Sequence, residues 1–334
     1  MTVLRSISCR LAAFCLALAS ASAPAAGAGL PGFEFAVLGH SFKAGTDDAP
    51  LKKAIAGVSA FNASFVVATG IKAMGESCSD KLYSQRKDLL DASTPPLIVS
   101  LSASDWVGCR NSRGRGNAIE RLNRLRDVYF ADNQSLGQRK LNVSRLSSTA
   151  KFRSYAENAH WEVGGVLFAT VNLPANNNHF LPEAGRNSEF EDRLVANRAW
   201  LQRLFAMAQG KKLDGIVLFS DGDVGVLDEE ESSLLPSFSS KQDGFAGPRK
   251  QIRLLAKKFA GKVLLVDTQG EKPADKQARG KLAISRGETP VIHWKANVGH
   301  VSIATDWAAI AVRTGKTPLF EVRERASRPS LPKH

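Results

Sequence analysis

The sequence predicts an α/β fold on two observations. Short apolar runs rich in Val, Ile, Leu and Phe alternate with longer segments whose apolar residues recur at helical spacing. The last apolar runs succeed one another without long helices between them, which predicts a second, more antiparallel layer. A chain of 334 residues has ample length to bury the core such a fold needs.

Phe33 to Leu38 (FEFAVL) reads as a buried strand. Leu51, Ile55, Val58 and Phe61 share one face of a helix over 51–61. Ser64 to Thr69 is a second strand, Asp80 to Leu90 a helix, and Leu97 to Leu101 a third strand after Pro95-Pro96. Ile119, Leu122, Leu125 and Val128 line one side of a helix from Ala118 to Phe130. Trp161 to Leu173 is interrupted by Gly164-Gly165 and reads as a hairpin or a bulged strand. Ser188 with Glu191 three residues on is a capping box that opens a helix through Ala208. Gly215–Phe219, Val263–Val266, Val291–Trp294 and Leu319–Val322 complete the strands. Two long polar connections, 131–160 and 225–247, separate these elements, and the first is long enough to cover a site.

Hydrophobic residues at 43% and charged residues at 23% exclude a disordered tail, a collagen-like rod and a multi-pass membrane protein. The amino terminus has the layout of a secretory signal: Arg5 and Arg10, then the apolar run Leu11 to Leu18, then small residues. That run is too short to span a bilayer, and Pro24 breaks the small-residue stretch after it. Ala23-Pro24-Ala25 and Ala26-Gly27-Ala28 both fit a cleavage site, and Cys15 is preceded by Phe14 rather than by the small residue a lipidated cysteine needs. The expected organisation is a cleaved signal at 1–28, one domain over 29–325 and a frayed basic tail at 326–334, in a periplasmic or secreted protein. Loss of Arg5 and Arg10 lowers the formal charge from +13 to about +11. Loss of Cys9 and Cys15 leaves Cys78 and Cys109, an even count that suggests a disulfide; two buried free thiols are the alternative. No His/Cys cluster has zinc spacing.

Several segments carry a resemblance: FEFAVLGH (33–40), SFVVATGIK (64–72), ESCSDKLYSQRKDLL (76–90), SDWVGC (104–109), ERLNRLRDVYF (120–130), SLGQRKL (135–141), the run from Tyr155 to His179, and KVLLVDTQG (262–270). In that order they resemble an exported branch of the calcineurin-like metallophosphoesterases. The Tyr155–His179 run and the Cys78/Cys109 pair are its most specific parts. The resemblance implies a four-layer α-β-β-α sandwich of two mixed sheets with two metal ions at the carboxyl ends of the strands. Two ions about 3.5–4 Å apart polarise a phosphate and generate a hydroxide, which requires converging anionic and imidazole ligands and one bridging carboxylate.

The family writes those ligands as Gly-Asp after the first and second strands, Gly-Asp-Asn or Gly-Asn-His after the third, and Gly-His-x-His or a similar pair near the end. Here the first is Gly39-His40 and the second Gly70-Ile71, so the bridging aspartate is missing. The third is Ser102-Ala103-Ser104 before Asp105, and the late segment runs from Asp267 through Thr268, Gln269 and Gly270 to Glu271. The resemblance thus implies a scaffold kept and a reaction centre lost: a non-catalytic exported protein without a cofactor. The alternative is a divergent phosphoesterase using a divalent metal ion in a rebuilt, mononuclear site. Its candidate ligands are His40, Asp105, Asp267 and Glu271, against the plainer reading that these are loop polar groups satisfied by hydrogen bonds.

Arg110, Arg113 and Arg115 in the loop RNSRGRGN suit a phosphate or carboxylate, or equally a solvated loop. His179, after Asn176-Asn177-Asn178, reads as a solvated rim residue rather than a ligand. Asp221-Gly222-Asp223 resembles the start of a calcium loop, but Gly225, Val226 and Ser232 break the pattern, and Asp228 to Glu231 reads as a solvated acidic turn. Lys211-Lys212 and Lys257-Lys258 sit at helix ends, where cations offset the dipole. No Gly-x-Ser-x-Gly elbow or Walker loop occurs. Nucleic-acid binding has only net charge behind it, with aromatics at 7%. A basic exported protein is better suited to anionic small molecules, cell-wall polymers or membrane surfaces.

Overall fold

The structure, a computed structural model, describes residues 32–39, 42, 48–181, 187–228, 242–269 and 290–323. The signal at 1–28, His40, Glu271 and the tail at 326–334 lie outside the described residues. The elements in chain order are β1 (Phe33–Leu38), α1 (Ala49–Phe61), β2 (Val66–Thr69), α2 (Asp80–Asp91), β3 (Leu97–Ser100), α3 (Ala103–Trp106) and α4 (Ala118–Tyr129). Next come β4 (Ser144–Arg145), β5 (Ala159–Val163), β6 (Val166–Thr170), α5 (Ser188–Gly210), β7 (Gly215–Phe219) and α6 (Ala246–Ala256). The chain then forms β8 (Lys262–Asp267), β9 (His293–Lys295), β10 (Val298–Ser302), β11 (Trp307–Val312) and β12 (Phe320–Arg323).

The fold is mixed α/β with two mixed sheets. One has five strands in the order β12-β11-β1-β2-β3, and the other seven in the order β4-β5-β6-β7-β8-β10-β9. The central pairs β1–β2, β2–β3, β6–β7, β7–β8 and β8–β10 are parallel. Strand alternation distributes side chains among three cores. Phe35, Val37, Phe65 and Val67 meet Trp161, Phe168, Val217 and Phe219 between the sheets. Phe35 stacks on Phe65 at 5.2 Å and meets Phe168 edge-on at the same distance. The alternate residues Ala36, Leu38, Val66 and Val99 pack under α1, α2 and α4. On the other sheet Leu167, Ile216, Leu218, Val263 and Leu265 pack under α5 and α6. No helix of the described residues is long and apolar enough to cross a membrane.

Gly164 and Gly165 form the two-residue turn of the β5–β6 hairpin, with φ of 55° and 78°. Positive φ at both central residues matches the strand twist, and glycine adopts it without a Cβ clash. Three expectations need correction. No capping box forms at Ser188: Asn187 occupies the N-cap position, and its side chain instead pairs with both backbone groups of Leu181. The connection 225–247 ends in α6, which starts at Ala246. The last strands do not form a separate antiparallel layer; β9 and β10 extend the seven-stranded sheet, whereas β11 returns to pair antiparallel with β1 in the other. The connection 131–160 borders β3, where Leu136 and Leu97 exchange two backbone hydrogen bonds of 2.8 Å.

Cys78 and Cys109 form a disulfide with a Cα–Cα distance of 5.8 Å, joining the segment before α2 to the loop before α4. It closes a loop of 31 residues. In the chain-entropy account such a cross-link is worth about 3–4 kcal/mol. Replacing both cysteines by serine is expected to reduce stability by about that amount in a urea titration monitored by circular dichroism.

Candidate functional site

The exits of β3, β6, β7 and β8 meet around two buried carboxylates. Asp221, two residues past β7, is 2% exposed. Its Oδ2 accepts the N–H of Ala103 and of Ala175, each at 2.7 Å, and Oδ1 accepts the Gln269 side-chain amide at 3.1 Å. One side chain therefore links the end of β3 in the first sheet to the ends of β6, β7 and β8 in the second. Asp105 lies in α3 and is fully buried. Its Oδ1 accepts the N–H of Ile71 at 2.9 Å and of Lys72 at 3.3 Å, and Oδ2 that of Ser102 at 2.8 Å. Burial pushes its carboxyl up to about 6; the N–H groups of Ser102 and Ile71 and the charge of Lys72 pull against burial, and the charge of Asp221 adds to it. Burial also lowers the Lys72 ammonium, opposed by Asp105 and Glu76.

These contacts account for much of what the sequence singled out. Ser102 and Ala103 contribute backbone N–H groups to the two carboxylates. Ser104 donates its hydroxyl to the Lys72 carbonyl at 2.8 Å. Ile71, at the position where the resemblance expects a bridging aspartate, is fully buried in the core under α1, α2 and α4. Arg110, Arg113 and Arg115 are exposed, and the Arg110 guanidinium donates to the Gly114 carbonyl within the same loop.

A second group lies at the ends of β7, β8 and β10. Among the described residues, Asp223, Asp267 and His300 are the one set of three or more metal-ligand side chains whose donor atoms all lie within 4.8 Å of one another. Asp267 is the last residue of β8 and continues the Val263, Leu265 face that packs under the helices. His300 and Ser302 alternate on β10 with Val301, which packs between the sheets, and Ser302 lies opposite Asp267 in the parallel register. Asp267 Oδ1 accepts the Ser302 hydroxyl at 2.6 Å and the Gln269 N–H at 2.9 Å. Its Oδ2 meets His300 Nε2 at 2.5 Å, and Asp223 Oδ1 lies 3.7 Å from the same nitrogen. One imidazole and two carboxylates at this spacing are a donor set for one divalent cation.

Of the four candidate ligands, His40 and Glu271 lie outside the described residues, Asp105 binds backbone N–H groups, and Asp267 joins the new set. Sequence reasoning misses Asp223 and His300 as candidate ligands. The signal for His300 is present: Gly299-His300-Val301-Ser302 matches the expected Gly-His-x-His in all but its last residue. Asp223 stands out in the sequence only as part of an incomplete calcium loop.

His179 also requires correction. It is 8% exposed rather than solvated, with Nδ1 3.1 Å from Glu189 and its ring edge-on to Trp106 at 4.7 Å. Asn177, Asn178 and His179 all have left-handed backbone, with φ of 46°, 52° and 52°. Such a run is unfavourable for side-chain-bearing residues and persists where the surroundings enforce it. Here Asn177 and Asn178 bond the backbone of 242–244, and the buried Arg193 clasps Asn178 and Glu189. Against the upward push of burial, His179 and Arg193 hold the Glu189 carboxyl at about 2.

No known family profile matches the chain, and no curated protein matches it by sequence.

These carboxylates give two expected outcomes. Asp221→Ala leaves two backbone N–H groups unpaired and is expected to cost about 3 kcal/mol in urea unfolding. Asp221→Asn, which keeps one acceptor for them, is expected to cost about half of that. Glu189 has a folded value below its ordinary one, so its contribution is complete above about pH 4.5 and is lost as pH falls toward 2. The stability difference between the protein and Glu189→Gln, measured across that range, is expected to shrink with acidification.

Proposed function

We propose that the chain is an exported protein on a calcineurin-like metallophosphoesterase scaffold that has given up two-metal hydrolysis and holds one divalent cation at Asp223, Asp267 and His300. Three cores support the scaffold: helices outside the five-stranded sheet, sheet against sheet, and helices outside the seven-stranded one, the succession of a four-layer sandwich. The signal-like amino terminus and the Cys78–Cys109 disulfide support export.

The observation that carries the loss of hydrolysis is the use made of the buried carboxylates. Both oxygens of Asp105 and of Asp221 accept N–H donors, and Ile71 is committed to the core. N–H donors take three of the roughly four lone-pair sites on each carboxylate, which leaves about one apiece, fewer than a bridge between two ions needs. A paired-metal hydroxide therefore has no support, whereas a single ion fits the remaining imidazole and carboxylates. Such an ion would supply Lewis acidity and positive charge. The chain's own contribution is to orient Asp267, whose Oδ1 is held by Ser302 and Gln269 while Oδ2 is directed at His300.

Elemental mass spectrometry of the purified mature protein is expected to find about one equivalent of a divalent metal such as zinc or manganese, lost in His300→Ala and in Asp267→Asn. With added Mn²⁺, p-nitrophenyl phosphate and its bis ester are expected to turn over no faster than in the blank. Turnover that His300→Ala abolishes would make the protein a mononuclear phosphoesterase instead. Absence of metal from the unaltered protein, even after Mn²⁺ or Zn²⁺ is added, would overturn the cation site.

A further inference from the structure

The opposite end of the seven-stranded sheet carries a different feature. A pocket of about 790 Å³ opens where β7 and β8 begin, bounded by the β9–β10 and β11–β12 turns. Strands of five and six residues separate it from the carboxyl-end site, a distance of about 15–20 Å. Leu213, Phe259 and Leu319 contribute apolar surface, and Trp294, 37% exposed, stacks parallel to Phe320 at 6.4 Å. Lys212, Lys258, Lys262 and Lys316 stand around it, with Asp214 as the one acidic lining residue.

Helix ends explain part of this charge. Helices α5 and α6 both finish at this end of the sheet, and Lys212 and Lys258 come just after their last turns, where a cation offsets the dipole. Lys262 begins β8 and Lys316 lies in the β11–β12 turn, so neither answers to a helix. The Lys262 ammonium sits 5.4 Å over the Trp294 ring. Among the described residues, Lys212, Lys258, Lys262 and Lys316 make no ion pair with a carboxylate within 4 Å. Surplus cations around an apolar, aromatic-walled hollow complement a ligand that is anionic at one end and apolar or planar at the other.

We infer that this pocket binds a phosphate-bearing anion, the phosphate held by the lysines and its apolar or planar part against Trp294 and Leu319. The chemistry is shared by a free organic phosphate and by the headgroup region of an anionic lipid. The site is independent of the proposed cation site, so the test is run in EDTA, which removes any contribution from Asp223, Asp267 and His300.

The probes are phenylphosphonate, measured by calorimetry, and phosphatidylglycerol vesicles, measured by co-sedimentation, both at low salt with phosphatidylcholine vesicles as the control. Phenylphosphonate binding alone identifies a free organic phosphate; vesicle binding alone identifies a lipid surface; both support the pocket. Lys258→Gln with Lys316→Gln is expected to weaken binding about tenfold, and raising salt from about 50 to 250 mM to weaken it similarly. Trp294→Ala is expected to weaken phenylphosphonate about fivefold. Circular dichroism verifies that each variant folds. Failure of both probes to bind the unaltered protein, or binding unchanged in the folded lysine and tryptophan variants, would overturn the assignment.

Discussion

A single carboxylate holds together the end of the molecule where function is sought. Asp221 is 2% exposed, and burying its charge is costly unless donors replace the lost water. The replacement comes from the N–H groups of Ala103 and Ala175 and the side chain of Gln269. These donors lie past strands of both sheets, so the solvation of one charge and the alignment of the sheet ends are the same interaction. Asp105 does the same on a smaller scale, tying the turn after β2 to the start of α3. The aromatic core between the sheets supplies the bulk of the adhesion, but apolar contact is non-directional and would not set which loop meets which.

This arrangement bears directly on chemistry. A carboxylate can solvate amides or coordinate metals, and its oxygens have a limited number of lone pairs for both. At Asp105 and Asp221 N–H donors take three of the roughly four on each. Asp223 and Asp267 meet the same competition, from the N–H groups of Gly225 and Gln269, but strand alternation also brings Asp267 and His300 together on the helix-facing side of the sheet. The grouping of Asp223, Asp267 and His300 is thus a consequence of where the strands point their residues.

The two ends of the seven-stranded sheet are chemically opposite. The carboxyl end gathers aspartates, and the amino end gathers lysines around a tryptophan. Parallel strands connected through helices lay all helix carboxyl termini at one end, and lysines accumulate there for the dipole alone. The lysines on β8 and on the β11–β12 turn exceed that need.

The α/β class, strands β1 to β3 and β5 to β8, helices α1, α2, α4 and α5, the break at Gly164-Gly165 and the absence of an aspartate at Ile71 are all legible in the linear chain. Each depends on local periodicity, turn chemistry or residue identity, which a sequence displays directly. Strand β11 is not legible there: its Ala-rich WAAIAV is a poor strand signal and becomes a strand by pairing with β1, roughly 270 residues earlier. Sequence reasoning groups Asp105 with Asp267, whereas folding pairs Asp105 with backbone amides and Asp267 with Asp223 and His300. It reads His179 as solvated, although Glu189, ten residues later on α5, and Trp106 bury it. Burial and coordination are properties of what surrounds a side chain, and here the surroundings come from other strands and other loops. Which acids are structural and which can hold an ion is therefore settled by the packing of distant segments, and no local pattern encodes it.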